Sequence, residues 1–169
     1  MKEKGKGSAR AYSFKAVYFP SKNEESQKID ESNFDEKAKA DFLKGAKIAY
    51  ESIITNFASG NLKEIKNLLD KKIVNDFNEA IKERKNKGLV SETTFIGINS
   101  ADIKNFKQTN NIFEVTVDFV SEIISCVKDK EKKVVSGNPE KIKKVYDTWK
   151  FSRSIKSASP NWLLIDTQA

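Results

Sequence analysis

Histidine is absent from this chain of 169 residues, and cysteine occurs only once. The absence of histidine excludes Ser-His-Asp and Cys-His nucleophilic machinery, and it removes the commonest general base and metal ligand. A single cysteine cannot form an intramolecular disulfide. Cys126 lies in an apolar alternating run, which favours a buried and inert thiol. We therefore expect no metal site, no cofactor and no catalytic residue, and we predict that the protein is not an enzyme.

Long apolar runs and phosphate-binding glycine motifs are missing as well. No stretch approaches the roughly 20 apolar residues that a helix needs to span a bilayer. The N-terminus has no continuous apolar core of the kind found in signal peptides. Neither GxGxxG nor GxxxxGK[ST] occurs in the sequence, so nucleotide binding is not indicated.

The chain has an excess of positive charge, with 31 Lys and Arg against 24 Asp and Glu, a net charge of +7 and a pI of about 9.3. This balance favours an anionic partner such as lipid or a ribosome, although a general bias toward lysine and asparagine would produce it too. Lysine-rich stretches at 71–87 and 128–144 allow ribosome contact through phosphate. Acidic residues interleave with them, as on a solvated face, and no DNA-binding motif appears, so DNA is not a predicted partner.

Residues 1–33 are predicted to form a flexible basic and polar segment. Aromatic residues lie among its cations, and such a segment can attract and enter an anionic membrane surface. A purely solvated tail remains the alternative. The candidate lipid-binding or anion-binding residues are Lys2, Lys4, Lys6, Arg10 and Lys15.

Apolar spacing after this segment predicts three helices. The first begins near Asn33, which with Glu36 forms a capping signal, and it ends at Gly60. The second is a short amphipathic helix over 62–69 that follows Asn61. The third carries apolar residues over 73–81 and ends in the cationic run before Gly88.

The periodicity then changes to two, which is typical of half-buried strands. The stretch TTFIGI predicts a strand that turns at Asn99–Ala101. A long strand follows in NIFEVTVDFVSEIISCV and is expected to bend near Ser121. A polar connection is predicted next, in KDKEKKVVSGNPEK. The third strand is predicted in KVYDTWKFSRSI and the fourth in WLLID. Helices followed by strands without alternation indicate an α+β fold, with helices against a curved four-stranded antiparallel meander.

Six blocks in order resemble the Tim44-like domain family, which includes the peripheral subunit of the mitochondrial inner-membrane translocase and its bacterial homologues. The blocks are FLKGAKIAYESIITNFASGNLKEIKNLL, VNDFNEAIKER, ETTFIGINSADI, VTVDFVSEIISCVKDK, VVSGNPEKIKKVYDTWKFSRSI and PNWLLIDT. The resemblance implies a cone of the nuclear-transport-factor-two type, with the domain over 34–169. A curved sheet would wrap a helix and leave an apolar pocket.

The resemblance also implies a function and an address. We expect a membrane-associated adaptor in protein transport or membrane-protein biogenesis that binds cardiolipin-like lipid and a translocation or chaperone component. The membrane would be the bacterial cytoplasmic membrane or the matrix side of the mitochondrial inner membrane. The translocase subunit has a long N-terminal region that contacts the chaperone, whereas a short segment precedes the domain here. The alternatives are a ribosome-contacting module of the same family and a small-molecule-binding or catalytic cone.

The candidate pocket residues come from the alternation of the strands and from the apolar spacing of the first helix. Those expected to line the pocket are Tyr50, Phe57, Phe119, Trp149, Phe151 and Trp162, and both tryptophans could equally be structural packing. Alternation places Asp147 and Arg153 on the same face of the third strand. They are expected to form an ion pair at the pocket rim, since a buried Asp147 would need a partner. Asp147 is also the carboxylate that a catalytic cone would use.

Overall fold

The computed structural model describes residues 34–157 and 161–168, and the five candidate lipid-binding residues lie outside these ranges. Two helices precede four strands, in agreement with the predicted α+β class. The elements are α1 (Glu36–Ser59), α2 (Lys71–Asn86), β1 (Val90–Thr109), β2 (Ile112–Lys128), β3 (Val134–Ser154) and β4 (Leu163–Gln168). The strands form one antiparallel sheet in the order β1-β2-β3-β4.

Helix α1 begins and ends on clear sequence signals. Asp35, and not Asn33, is the cap, because its side chain accepts a hydrogen bond from the Ala38 amide at 2.8 Å. The helix ends at Gly60, as predicted, and that residue adopts a φ of 81°. Such a φ is strained for residues that carry a Cβ atom, which is why glycine suits this position.

The predicted second helix is wrong, because residues 62–68 form only two short 3-10 turns. Asn61 makes no side-chain cap hydrogen bond. Asp70 instead takes extended geometry and caps α2 by accepting from the Ile73 amide at 2.9 Å. The stretch between Gly60 and Asp70 is too short for a helix to offset its nucleation cost. Its apolar residues Leu62, Ile65 and Leu69 are nevertheless buried.

Arg84 joins the end of α1 to α2. Its Nη2 donates to the carbonyl oxygens of Phe57 and Ala58, at 3.0 and 3.1 Å, and the guanidinium lies 5.4 Å from the Phe57 ring centre. These contacts satisfy carbonyls that the end of a helix leaves free. Burial lowers the pKa of Arg84. The residue therefore has a structural role and is not a freely exposed cation of the lysine-rich stretch.

The turn predicted at Asn99–Ala101 is wrong, because strand β1 continues through these residues. The reversal lies farther on, at Asn110 and Asn111, where Asn110 has a φ of 54°. The short polar residues of β1 instead coincide with three register shifts, between Phe95 and Gly97, Ile98 and Ser100, and Ile103 and Asn105. Bulges of this kind bend a strand, so β1 can curve around α1 without ending.

Ser121 of β2 lies beside one of these irregularities, since it pairs with Ile98 of β1. The extra residue of this irregularity lies in β1 and not in β2. The register of β2 against β3 shifts only beyond Ile123. The predicted polar connection is wrong over most of its length, because β3 already begins at Val134. Gly137 permits this pairing: its φ is 75°, and a Cβ atom would lie 2.3 Å from the Ser125 carbonyl oxygen.

Candidate functional site

One end of the space between α1 and the sheet is sealed around Tyr50. The Tyr50 hydroxyl donates to Asp147 Oδ2 at 2.6 Å and lies 2.9 Å from Ser121 Oγ. Asp147 is 2% exposed. A short charge-assisted hydrogen bond of this type offsets part of the cost of burying a carboxylate. The arrangement anchors the middle of α1 to β2 and β3.

Aromatic rings pack around this polar contact. Tyr50 stacks on Phe119 with ring centres 4.2 Å apart, and Trp149 lies 4.6 Å from Tyr50. Trp149 and Phe57 are buried, and Phe57 packs at 4.7 Å against Phe77 of α2. These contacts form the core of the domain. Four of the six residues expected to line a pocket therefore belong to the core, and they do not line the cavity at the other end of α1. They are Tyr50, Phe57, Phe119 and Trp149.

The other end of the same space is an open cavity of about 460 Å³. This volume lies within the range of roughly 300–1,000 Å³ that is typical of small-molecule sites. Aromatic rings and small residues of α1 form much of its wall. The lining residues are Phe34, Ala38, Asp41, Phe42, Gly45, Ala46, Ala49, Leu68, Phe106, Phe113, Phe151, Arg153, Asn161 and Trp162.

The rings of the cavity contact one another and so hold the wall in place. Phe34 stacks on Phe106 with centres 4.3 Å apart. Phe42 meets Trp162 edge to face at 4.9 Å and Phe151 at 5.8 Å. Phe151 and Trp162 are the two expected pocket residues that are among the lining of this cavity. Phe42 of α1 is also part of this wall.

Arg153 is the one cation among the residues that line this cavity. Its Nε is buried and has no hydrogen-bond partner among residues 34–157 and 161–168. A guanidinium with an uncommitted donor beside an aromatic wall can bind a carboxylate or phosphate through charge-assisted hydrogen bonds. The cavity can therefore accept a molecule with an apolar body and an anionic end.

The predicted ion pair between Asp147 and Arg153 is wrong. The two residues lie on the same face of β3, as alternation requires, but six steps along the extended strand separate their Cα atoms by about 20 Å. Asp147 is buried against Tyr50 at the sealed end, and Arg153 lines the open cavity. Alternation identifies the shared face but not the distance along it.

Phe34, Phe106 and Phe113 are cavity residues that sequence reasoning did not assign to the site. Phe113 had a usable signal, because it leads the alternating run of β2. Phe106 was hidden by the turn wrongly predicted in β1. Phe34 precedes α1 and belongs to no periodic pattern, so only the three-dimensional structure reveals its stacking on Phe106.

Comparison with known proteins identifies the family. Residues 24–169 match the Tim44-like domain. This chain belongs to the Tim44-like domain family. The match begins ten residues before the boundary expected from the sequence, and that boundary remains a prediction. The predicted cone-type fold class of this family agrees with the helices and curved sheet described above.

Two solved structures that match this Tim44-like chain have low sequence identity to it. The intermembrane space region of the chloroplast protein ARC6 is 14% identical, with a TM-score of 0.47, and the match covers 79% of this chain and 95% of that one. A putative NTF2-like transpeptidase from Campylobacter jejuni is also 14% identical, with a TM-score of 0.26, covering 74% and 95%. No curated protein matches the chain. None of the described helices has the length and apolarity needed to cross a bilayer.

Proposed function

We propose that this Tim44-like domain is a non-enzymatic adaptor that binds one anionic amphiphile, such as a fatty acid or a phospholipid, in the cavity beside α1. The observation that carries the proposal is the combination of an aromatic wall with the unpartnered Nε of Arg153. The apolar part of the ligand would pack on Phe42, Phe113 and Trp162. Its carboxylate or phosphate would accept hydrogen bonds from Arg153.

The cellular role that fits such a ligand is peripheral attachment to an inner membrane in protein transport or membrane-protein biogenesis. Family membership supports this role, and so does the net charge of +7. Anionic lipid attracts basic segments by about 1 kcal/mol for each Lys or Arg near the surface. The protein partner would then be a component of a translocation or chaperone system in a bacterial or mitochondrial membrane.

The cavity ligand is tested by binding oleate and its uncharged analogue monoolein to the full chain. Wild-type protein should bind oleate about tenfold or more tightly than Arg153→Gln, because the variant loses a hydrogen bond to a charged group. Arg153→Lys should restore part of the affinity. Lys156→Gln, which removes one exposed positive charge nearby, should leave binding unchanged. Equal affinity of the wild type and Arg153→Gln for oleate would contradict the proposal.

The membrane role has a separate test. Full-length protein should co-sediment with cardiolipin-containing vesicles and not with neutral phosphatidylcholine vesicles, at low and at physiological salt. Replacing Lys2, Lys4, Lys6, Arg10 and Lys15 by Gln should weaken this binding, while oleate binding in the cavity persists. Unchanged sedimentation of the substituted protein would remove the basic segment from the mechanism.

Catalysis has little support from the position of the one carboxylate proposed for it. Asp147 accepts the Tyr50 hydrogen bond and is not among the residues that line the cavity. A ligand in the cavity would therefore lie away from this carboxylate. The ribosome-contacting alternative also loses one of its cations, since Arg84 caps α1.

A further inference from the structure

A second, polar cleft of about 420 Å³ lies on the opposite face of the sheet. Every strand contributes residues to this cleft. These residues lie in two adjacent rows of cross-strand neighbours. Hydroxyl, amide, ammonium and carboxylate groups form the lining, in contrast to the aromatic cavity. The polar side chains are those of Lys104, Asn105, Thr116, Thr148, Lys150, Asp166 and Gln168.

Two register shifts create this cleft. The register of β1 against β2 shifts at Lys104, between Ile103 and Asn105, and that of β4 shifts at Ile165. Simple alternation would place Asp166 on the same face as Leu164, toward the core. Because Ile165 is the extra residue, Asp166 lies opposite Lys150 and joins the outer face. Bulges commonly re-aim side chains in this way next to binding sites.

Asp166 is the unusual member of the cleft. It is 6% exposed, and its Oδ1 has no hydrogen-bond partner within the described part of the chain. Burial raises the pKa of its carboxyl group, although the nearby Lys150 and hydrogen bonds from the Thr167 backbone and the Gln168 side chain act in the opposite direction. A buried carboxylate oxygen without a donor is costly and therefore uncommon in folded proteins. In this cleft a ligand can supply the missing donor.

The surrounding charges limit what that ligand can be. A simple cation would satisfy Asp166 but would be repelled by Lys104 and Lys150. A simple anion would meet the two lysines but also the negative charge of Asp166. A molecule that carries both signs satisfies all three groups, and the Thr116 hydroxyl can donate to its oxygens. The Thr148 hydroxyl is already committed, since it donates to Asp118 Oδ1 at 2.6 Å. Lysine pairs are suited to phosphate, which they bind as point charges.

We infer that this outer cleft binds a phosphoethanolamine group, with its primary ammonium on Asp166 and its phosphate between Lys104 and Lys150. The group could belong to a lipid head or to a free metabolite. This site shares no lining residue with the aromatic cavity. Its existence does not depend on the function proposed above, and Arg153→Gln should leave it intact.

The test is a titration of the ¹⁵N-labelled full chain with O-phosphoethanolamine, followed by amide chemical shifts. Shifts are expected at Thr116, Thr148 and Asp166. Three control compounds should each bind more weakly by a factor of about ten or more. They are phosphate alone, ethanolamine alone, and phosphocholine, whose ammonium has no N–H donor. Equal shifts with phosphate alone, or no shifts around the cleft, would overturn the inference.

Variants make the test specific to the carboxylate. Asp166→Asn should reduce the affinity for O-phosphoethanolamine about tenfold or more. Asp102→Asn, which removes an exposed carboxylate from a strand that borders the cleft, should change it less than twofold. Lys150→Gln should weaken binding independently. Full affinity in both the Asp166 and the Lys150 variants would overturn the assignment.

Vesicles separate the two sources of the group. Sedimentation with phosphatidylethanolamine vesicles over phosphatidylcholine vesicles, lost in Asp166→Asn, would assign a lipid head. Binding of the free compound without vesicle binding would assign a soluble metabolite. Either result supports the site, and failure of both probes refutes it.

Discussion

The two tryptophans occupy opposite ends of the same interior and show how differently the two ends are built. Trp149 is 0% exposed and packs on Tyr50, beside the hydrogen bond to Asp147. Trp162 is half-buried and packs edge to face on Phe42 in the wall of the open cavity. The first end is filled by rings and closed by hydroxyls. The second end is left unfilled.

Helix α1 accounts for much of this difference. At the sealed end its inward residues are large, with Tyr50 and Phe57 both buried. Toward the cavity the helix presents small residues among its lining positions, including Gly45, Ala46 and Ala49. Small side chains on one helix and rings on the facing strands leave a space that a ligand can occupy. We therefore expect the sealed end to stabilise the fold and the open end to bind the ligand.

The largest expected effect is that of Trp149→Ala. Truncation of a fully buried aromatic side chain should lower the free energy of unfolding by about 3–5 kcal/mol, as measured by urea denaturation. Trp162→Ala should cost about 1 kcal/mol by the same method but should weaken oleate binding. Equal stability losses in the two variants would remove the distinction between the ends.

Tyr50→Phe tests the polar closure of the sealed end. Loss of the hydroxyl that donates to Asp147 at 2.6 Å should cost about 1.5–3 kcal/mol in the free energy of unfolding. Tyr146, which is 61% exposed, provides the control, since Tyr146→Phe should stay within about 0.5 kcal/mol. A Tyr50→Phe variant as stable as the control would mean that the contact contributes little.

Asp166→Asn should stabilise the protein at neutral pH by about 1 kcal/mol, because it removes a buried charge whose Oδ1 has no hydrogen-bond donor. The pKa of Asp166 is raised in the folded state. The folded protein therefore holds this proton more tightly than the unfolded chain, and stability increases as pH falls from the raised pKa through the unfolded value of 3.8.

The stability advantage of Asp166→Asn should be present at pH 7 and disappear below the unfolded pKa. Asp118, Lys104 and Lys150 are present in both proteins, so thermal unfolding of wild type and variant across pH isolates Asp166. An advantage that is independent of pH would contradict this cause.

The smallest expected effect is at Gly45, in the wall of the cavity. A Cβ atom added there meets nothing within 4 Å. Gly45→Ala should therefore stabilise the helix by about 0.5–1 kcal/mol, measured by thermal unfolding. Gly60→Ala is the contrast, because a φ of 81° strains alanine and should destabilise the protein. Gly45→Leu should narrow the cavity and weaken oleate binding, whereas unchanged binding would argue against the location of the ligand.

Local signals in the sequence were sufficient for much of the fold. The helical stripe predicted α1, and the period of two predicted which face of β3 carries Trp149 and Phe151. Gly60 correctly marked the end of the first helix. Such signals depend on neighbours a few residues apart, and these neighbours keep their relation in the folded chain.

The remaining features depend on contacts that are distant in the sequence. Polar residues of β1 imitate a turn, but pairing with β2 holds the strand through them and converts the irregularity into bulges. The bulge at Ile165 similarly moves Asp166 to the face that alternation does not predict. The position of Arg153 in the cavity requires the distance along β3 as well as its face. For these reasons four of the six residues expected in the wall of the pocket lie in the core instead.

The most direct test of the central claim is an isotope-filtered nuclear Overhauser experiment on labelled protein with oleate. The account predicts contacts from the acyl protons to the rings of Phe42, Phe113 and Trp162, and none to Tyr50. It also predicts that Arg153→Gln greatly reduces these signals. Acyl contacts confined to other surfaces, or full-strength contacts in Arg153→Gln, would contradict a cavity that binds an anionic amphiphile through Arg153.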